Sequence, residues 1–204
     1  MKRLSIIFAI IPLLAFSQRE KVTPLNNNLK PKTELVSPGY RNFSLDGISF
    51  GSSRDEVIKV LGEPIKKRPT YYFYKDKINL LKTDKFFYFH NNLLYQVGYT
   101  FIEEHTNENL FIDDFNGIED LLIQKYGPTT KHHKKWIDDL YKDDLSKHGF
   151  AISLGDLTIG SFWQFDNFRI AHVLSGDNYN INHVLIYQQY PNPVDSQKKS
   201  MDKL

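Results

Sequence analysis

The stretch of sequence that decides the fold is Gly51-Ser-Ser-Arg-Asp-Glu56-Val57-Ile-Lys-Val-Leu61-Gly62-Glu-Pro64. Its ending returns later in the chain as Leu122-Ile-Gln-Lys-Tyr126-Gly127-Pro128, which places the two glycines 65 positions apart. Recurrence at a fixed spacing is typical of a structural unit that is repeated along a chain. The sequence therefore predicts two copies of one unit, each made of a helix followed by a small sheet.

The first of these stretches carries start and stop signals for a helix. Ser53 and Glu56 have the spacing of a capping box, in which the serine oxygen accepts from the backbone N–H of the glutamate and the glutamate side chain reaches back. Gly62 is placed to adopt the left-handed conformation that ends a helix, and Pro64 prevents the helix from resuming. A short strand is expected just before this helix, at residues 48–50.

The rest of the chain is predicted to consist of strands and one longer helix. In the first half, residues 71–74 form a strand and residues 86–101 form a hairpin that turns at Asn91-Asn92, because asparagine tolerates the positive φ of a two-residue turn. In the second half we expect a helix over residues 108–126, a strand near Trp136, a hairpin over 157–174 that turns at Asp166-Asn167, and a last strand over 181–189. Residues 138–147 are ambiguous, with a short helix as one interpretation.

These elements define the fold class. They predict an α+β protein of two tandem α-β-β-β repeats, with antiparallel sheets and with the helices packed on one face. The first repeat is assigned to residues 43–104 and the second to residues 105–190.

The two ends of the chain differ from the middle. Lys2 and Arg3 precede an apolar run over residues 4–16, and Ala15 and Ser17 are small residues where a signal peptidase reads, so residues 1–17 are predicted to be a secretory signal peptide. The alternative is an uncleaved N-terminal anchor. Residues 18–42 are predicted to be a disordered linker and residues 191–204 a flexible tail. We therefore expect an exported protein, periplasmic or extracellular, with no transmembrane segment after cleavage.

The charge balance argues against nucleic acid as a partner. The chain has 26 Lys and Arg and 24 Asp and Glu, a net charge of +2, and two of the basic residues belong to the predicted signal peptide. The mature chain is therefore close to neutral, whereas neutralisation of phosphates needs a basic surplus or a concentrated basic face. The two basic clusters, residues 66–68 and 131–135, have acidic residues nearby, and we interpret them as solvated loops.

No constellation of residues points to catalysis, to a metal or to a cofactor. The chain has no cysteine, which excludes disulfides. Its seven histidines lack the spacing of metal ligands, and no serine stands in a Gly-x-Ser-x-Gly setting. We predict no cofactor and no metal site. One arrangement stays open, in which His172 and His183 approach each other on neighbouring strands beside an acid such as Asp156 or Asp177.

The opening stretch also resembles a known family. The pattern Ile48-x-x-Gly51-x-x-x-x-Glu56-Val57-x-x-x-Leu61-Gly62-x-Pro64, followed by Phe87-Tyr-Phe89-x-x-x-Leu93-x-x-x-Val97, is similar to the SmpA/OmlA family, whose fold is similar to that of the β-lactamase inhibitor proteins. The resemblance covers residues 48–101 well and 108–190 loosely. It implies a small envelope protein of tandem α+β repeats that works by contacting other proteins. SmpA/OmlA proteins are typically lipoproteins, whereas this chain has no cysteine to carry a lipid.

The register of the two predicted hairpins assigns side chains to faces, because opposed residues share a face. In the first hairpin, the turn at Asn91-Asn92 predicts Phe89 opposite Leu94 and Phe87 opposite Gln96, and in the second Gln164 lies opposite Arg169. The face of the first hairpin expected to pack on the helices carries Phe86, Tyr88, Tyr95, Val97, Tyr99 and Phe101. In the second, the expected core face pairs Trp163 with Ile170 and Ile159 with Leu174. The other faces mix aromatic and polar side chains, which is typical of protein-interaction hot spots. The candidate binding residues are Phe87, Phe89, Leu94, Gln96, Phe162, Gln164 and Arg169.

The leading hypothesis is an exported, non-enzymatic binding module whose exposed sheet face holds a protein or peptide of the cell envelope. It predicts solvent-exposed Phe87, Phe89, Phe162 and Arg169, although burial of the mixed faces between the repeats is an equal alternative. The second hypothesis is a cell-envelope hydrolase with a His/Asp site between the repeats. A purely structural envelope component is a third. The sequence leaves the ligand and the oligomeric state open.

Overall fold

The computed structural model describes residues 42–194. The predicted signal peptide, nearly all of the predicted linker and residues 195–204 lie outside the described residues. None of the helices within residues 42–194 is long and apolar enough to cross a membrane.

The described residues form three helices and ten strands, together with a 3-10 turn over Leu145–Lys147. The helices are α1 (Arg54–Leu61), α2 (Asn109–Tyr126) and α3 (His148–Leu154). The strands are β1 (Ser44–Leu45), β2 (Ile48–Ser49), β3 (Lys66–Lys67), β4 (Tyr71–Ile78), β5 (Leu81–His90), β6 (Leu93–Phe101), β7 (Lys131–Trp136), β8 (Leu157–Gln164), β9 (Phe168–Asp177) and β10 (Asn180–Gln189).

Both predicted helices are present, and their ends follow from the signals in the sequence. Ser53 and Glu56 form the predicted capping box at the start of α1. Gly62 ends α1 at a positive φ of 78°, as predicted, but its ψ of −173° is extended rather than left-handed helical. Gly127 ends α2 in nearly the same way, with φ 84° and ψ −176°. An extended ψ at Gly127 is what the following Pro128 demands, since proline disfavours helical geometry in the residue before it.

Eight of the strands join into one antiparallel sheet in the order β3-β4-β5-β6-β10-β9-β8-β7, and β1 pairs with β2 in a separate two-stranded sheet. The predicted mixed α+β class with antiparallel pairing is therefore confirmed. The two halves of the chain do not form separate sheets, because β6, the last strand of the first half, pairs with β10, the last strand of the second half. Val97 of β6 lies opposite Tyr187 of β10.

One face of this sheet, the helix side, packs against the helices and forms the core. A row of residues in register crosses it from β4 to β8, and every member is buried: Tyr72, Phe87, Val97, Tyr187, Ile170 and Trp163. Val57 of α1 and Ile118 and Leu122 of α2 belong to the same hydrophobic cluster. A second cluster joins Phe115 of α2 and Ile152 of α3 to the far ends of β8 and β9.

The predicted register of the first hairpin is wrong beyond its first pairs. Asn91 and Asn92 make the predicted two-residue turn at positive φ, and Phe89 lies opposite Leu94 as predicted. A β-bulge then makes Tyr95 an extra residue, so that Phe87 pairs with Val97 instead of Gln96. Because side chains alternate with a period of two, this one-residue shift exchanges the faces of everything beyond it.

The second hairpin follows its predicted register, with Trp163 opposite Ile170 and Gln164 opposite Arg169. Three parts of the structure were not predicted. The strand predicted at 71–74 continues to Ile78, and the first strand of the hairpin begins at Leu81 rather than Phe86. Helix α3 follows the ambiguous segment. The strand predicted near Trp136 is present as β7, but the basic clusters at 66–68 and 131–135, expected to be solvated loops, contribute β3 and most of β7, the two outermost strands. Lysine has a low strand propensity, and only pairing with β4 and β8 makes these segments extended.

Candidate functional site

The face of the sheet opposite the helices, here called the open face, is the candidate functional site. Two rows of side chains in register cross it. The apolar row contains Phe73, Phe86, Gly98, Ile186, Ala171 and Phe162, and the polar row contains Tyr71, Tyr88, Gln96, Gln188, Arg169 and Gln164. Within residues 42–194, the three helices all contribute to clusters on the helix side. Most open-face side chains are half-buried, which is expected where neighbours on a sheet cover only each other.

Four of the seven predicted binding residues lie on the open face. Gln96, Phe162 and Arg169 are half-buried there and Gln164 is exposed. The other three candidates, Phe87, Phe89 and Leu94, are buried in the core on the helix side, with exposed fractions of 0%, 5% and 0%. The prediction that Phe87 and Phe89 are exposed is therefore wrong, and its cause is the bulge at Tyr95.

The polar row is held by side-chain hydrogen bonds that run across three strands. The Gln188 amide donates to Gln96 Oε1 at 2.9 Å, and Arg169 Nε donates to Gln188 Oε1 at 2.8 Å. A second Arg169 nitrogen donates to the same oxygen, and the guanidinium lies 6.0 Å from the ring of Tyr190. Each of these long side chains is thus fixed in one position, which lowers the entropy that a partner would have to overcome on binding.

The aromatic residues of the open face pack edge to face and side by side. Phe86 lies beneath the others, with ring centroids 5.7 Å from Tyr71, 5.2 Å from Phe73 and 6.2 Å from Tyr88. The ring of Tyr88 lies over Gly98, since a Cβ atom added to this glycine would be 3.7 Å from the ring. Burial, followed by the nearby phenols of Tyr95 and Tyr71, raises the pKa of Tyr88 above its ordinary value, so this phenol stays a neutral hydrogen-bonding group.

Small residues make the apolar row shallow near its centre, and a glycine beside the row lets one of its rings lie flat. At Gly160 of β8, a side chain would meet the ring of Phe162 at 3.0 Å, because this ring lies over the glycine. Gly98 and Ala171 flank Ile186 and keep the surface low beside it. The centre of the open face is consequently a low apolar strip bordered by the fixed polar row.

Charge is unevenly divided between the open face and the rest of the protein. Residues 42–194 contain 16 Lys and Arg but 20 Asp and Glu. The alternation of the strands places seven of the basic residues on the open face with only two acidic ones, while nine basic and eighteen acidic residues lie elsewhere. The basic residues are Lys66, Lys75, Lys77, Lys82, Lys131, Lys135 and Arg169, and the acidic ones are Asp84 and Asp177.

The lysines stand at the two borders of the open face. Lys66, Lys75, Lys77 and Lys82 lie on β3, β4 and the start of β5, and Lys131 and Lys135 lie on β7 at the opposite border. Lys75 is neutralised locally, because its Nζ is 2.6 Å from Asp84 Oδ1. Burial, and then the charges of Lys131 and Lys135, lower the pKa of His133 between them, so the imidazole remains neutral there near neutral pH.

The predicted meeting of His172 and His183 does occur, but in the core. Their Nε2 atoms are 2.7 Å apart, His172 stacks on Phe115 at 4.0 Å, and His183 stacks on Phe101 at 4.0 Å. Neither Asp156 nor Asp177 hydrogen-bonds to either ring, and no other carboxylate of the described residues does so. Two buried imidazoles that lie within hydrogen-bonding distance of each other and stack on phenylalanines do not form the His/Asp site of the hydrolase hypothesis.

A cavity of about 400 Å³ lies on the helix side, between α2 and the β1–β2 hairpin. Leu121, Leu122 and Leu185 line its apolar wall, and Asp46 and Asp76 line its polar wall. Both carboxylates are engaged with the ammonium of Lys85, at 2.7 Å and 3.0 Å. The wall thus combines a satisfied ion pair with ordinary core side chains, and it selects no particular class of ligand.

Comparison of the chain with protein-family models, with curated proteins and with solved structures found no match. The open face itself is therefore the basis for assigning a function. The residues that sequence reasoning missed there are Tyr71, Phe73, Phe86, Tyr88, Ile186 and Gln188. The alternation along β10 signals that Ile186 and Gln188 share a face, but only the pairing of β6 with β10 shows which face this is.

Proposed function

We propose that this protein is an exported, non-enzymatic binding module of the bacterial cell envelope, and that it contacts another protein through the open face. The observation that carries the proposal is a sheet face of packed rings, fixed amides and one arginine, to which no helix of residues 42–194 contributes cover. Aromatic residues and arginine amid neutral polar groups are the usual components of protein-binding hot spots.

The size of the open face supports the proposal. Six spacings between neighbouring strands separate β4 from β7, and at about 4.8 Å per spacing this distance is about 29 Å. The strands β4 and β8 each have eight residues, which gives a length of about 26 Å at 3.3 Å per residue. The product, roughly 750 Å², is close to the 800 Å² or so that each partner of a standard protein interface buries.

We also propose that the chain is a tandem repeat of the SmpA/OmlA type. Two features support this. The backbone N–H of Gly62 donates to Ile58 O and that of Gly127 to Ile123 O, both at 2.8 Å, so the two helices end in the same geometry. Each helix is followed by four strands that lie in consecutive order in the sheet, with α3 inserted between the first and second strands of the later set.

The export proposal rests on the predicted signal peptide and is tested separately. Mass spectrometry of the protein recovered from the envelope or medium of a producing bacterium should find a chain that begins at Gln18. A chain that begins at Met1 and stays in the cytoplasm would contradict export.

Site-specific crosslinking tests the binding proposal. A photoreactive amino acid is placed at Val173 or Gln164 on the open face, or at Val60 or Ile123, which are exposed on α1 and α2. If the open face holds a partner, Val173 and Gln164 should yield a discrete crosslinked protein in cells, and the two helix positions should not. Equal products from all four positions, or none from the open face, would contradict the proposal.

A pair of matched variants strengthens this experiment. Phe162→Ser removes a half-buried ring from the apolar row of the open face, and Val60→Ser removes an exposed apolar side chain from α1. Both should fold, as judged by near-UV circular dichroism. We expect Phe162→Ser alone to reduce the crosslink at Val173, by tenfold or more if Phe162 is a hot spot worth about 1.4 kcal/mol.

A further inference from the structure

We infer that the partner of the open face is an acidic protein segment, extended across the strands so that its carboxylates reach both lysine borders. The inference rests on the proposed function, since it names the chemistry of the partner that the open face would bind. The division of charge indicates an acidic partner. Seven basic and two acidic residues lie on the open face, whereas nine basic and eighteen acidic residues lie elsewhere in residues 42–194.

Lysines on β3 and β7 protect the edges of the sheet, but Lys75, Lys77 and Lys82 lie on β4 and β5, where edge protection does not require them. Like charges that share a face repel one another, and most of the acidic residues of the described chain lie away from this face. Of the basic residues at the borders, Lys75 has a carboxylate partner on the open face. A net positive surface on a domain whose described residues carry a net negative charge steers an acidic partner to that surface and orients it there.

The geometry sets the length of the segment. The borders are about 29 Å apart, and an extended chain advances about 3.3 Å per residue, so about nine residues span the open face. The surface between the borders is mostly uncharged, with Ile186 and Phe162 in the apolar row and Gln96 and Gln188 in the polar row. Its cation, Arg169, is hydrogen-bonded to Gln188. The segment should therefore carry carboxylates towards both ends and apolar or amide side chains between them.

The same features disfavour a single-stranded nucleic acid. Such a ligand carries a phosphate at every residue and needs exposed rings on which its bases stack. Here Phe86 is only 5% exposed and packs against Tyr71, Phe73 and Tyr88. The only cation near the centre, Arg169, is hydrogen-bonded to Gln188. An acidic protein segment with uncharged residues in its middle matches both the charged borders and the mostly uncharged centre.

Selection from a displayed library of random 12-residue peptides tests the inference with the full 204-residue chain as bait. The border variant carries Lys66→Glu, Lys82→Glu and Lys135→Glu. The control variant carries Lys59→Glu, Lys142→Glu and Lys147→Glu, which change the net charge equally but lie away from the open face. We expect peptides selected by the wild type and by the control to be enriched in Asp and Glu, and the border variant to bind them at least tenfold more weakly.

The alternatives give different outcomes. Selected peptides without an acidic bias whose binding is nevertheless lost in Phe162→Ser would overturn the inference and leave the proposed function standing. No open-face-dependent peptide, together with no crosslink at Val173, would overturn both. Tighter binding of a 12-nucleotide oligo(dT) than of the selected peptides, or a dimer in sedimentation that the border variant abolishes, would replace the acidic segment by nucleic acid or by a second copy of the chain.

Discussion

The buried pair formed by His172 and His183 should make the protein lose stability in mild acid. Burial lowers the pKa of His183 to about 3 in the folded protein, from an ordinary value of 6.5, and burial followed by the neighbouring ring lowers the pKa of His172 well below that value. In the unfolded chain both imidazoles are solvated and regain ordinary values. Between these limits the unfolded state binds more protons than the folded state, so the free energy of unfolding falls as the pH falls.

The size of the effect follows from the pKa of His183. Above pH 6.5 the histidine is neutral in both states and the stability is fully present. Below pH 6.5 each pH unit costs about 1.4 kcal/mol until the folded pKa of about 3 is reached, so His183 alone costs roughly 3 kcal/mol at pH 4.5. Since typical domains have only about 5–15 kcal/mol of stability, this is a large part of the total. His172 acts in the same direction.

The variant His183→Gln isolates the contribution of His183. A glutamine amide lies near the position of Nε2 and can keep the hydrogen bond to His172, but it does not take up a proton in this range. Urea unfolding is measured for both proteins at pH 7.5, 6.0, 5.0 and 4.5. The free-energy difference between them should shift by roughly 3 kcal/mol in favour of the variant between the first and last pH, because the carboxylates common to both cancel. A difference that stays constant with pH would refute the reasoning.

Three further predictions concern stability and are measured by urea unfolding at neutral pH. Ser53→Ala should cost about 1 kcal/mol because it removes the cap of α1, and Ser53→Thr should recover most of the loss. Lys85→Met should cost far less stability than the double change Asp46→Asn with Asp76→Asn. In the single variant the two carboxylates stay partly hydrated, because their side chains are 51% and 39% exposed. The double variant leaves a buried ammonium without a counter-charge and should lose about 3–5 kcal/mol, so equal losses would contradict this prediction. Phe87→Ala should cost about 3–5 kcal/mol, as expected for a core ring, and a loss below about 1 kcal/mol would restore the sequence-based placement of Phe87 on an exposed face.

The sequence predicts well those features that depend on neighbouring residues. The capping box at Ser53, the helix ends at Gly62 and Gly127 and the turn at Asn91-Asn92 each follow from the conformational preferences of a few consecutive residues. The register of the second hairpin follows as well, because it contains no irregularity between Ile159 and Leu174.

The faces of the first hairpin could not be predicted, for two physical reasons. The bulge at Tyr95 has no glycine or proline to mark it, since an added residue of this kind needs no special side chain. Both faces of the hairpin carry aromatic residues, so the hydrophobic pattern does not distinguish the register with the bulge from the register without it. Because of this single residue, three of the seven candidate residues were assigned to the wrong face.

The extent of the candidate site was also hidden from the sequence, because it depends on a long-range pairing. The open face becomes one continuous surface only where Gln96 of β6 lies beside Gln188 of β10, and these residues are 92 positions apart. The division of charge is hidden for the same reason. Lys66 and Lys131 belong to separate clusters in the sequence and come to border a common surface only through the order of the strands.

The pairing of β6 with β10 has a consequence for the chain while it is being made. Neither strand contains a charged residue, whereas the outermost strands β3 and β7 carry five lysines between them. Lysine on an outer strand discourages pairing with a foreign chain, so the finished sheet is protected at both ends. A nascent chain lacks this protection, because β10 begins 79 residues after β6 ends. Any chain interrupted in that interval presents β6 as a bare template to its neighbours, and safe assembly depends on synthesis running through to the last strand.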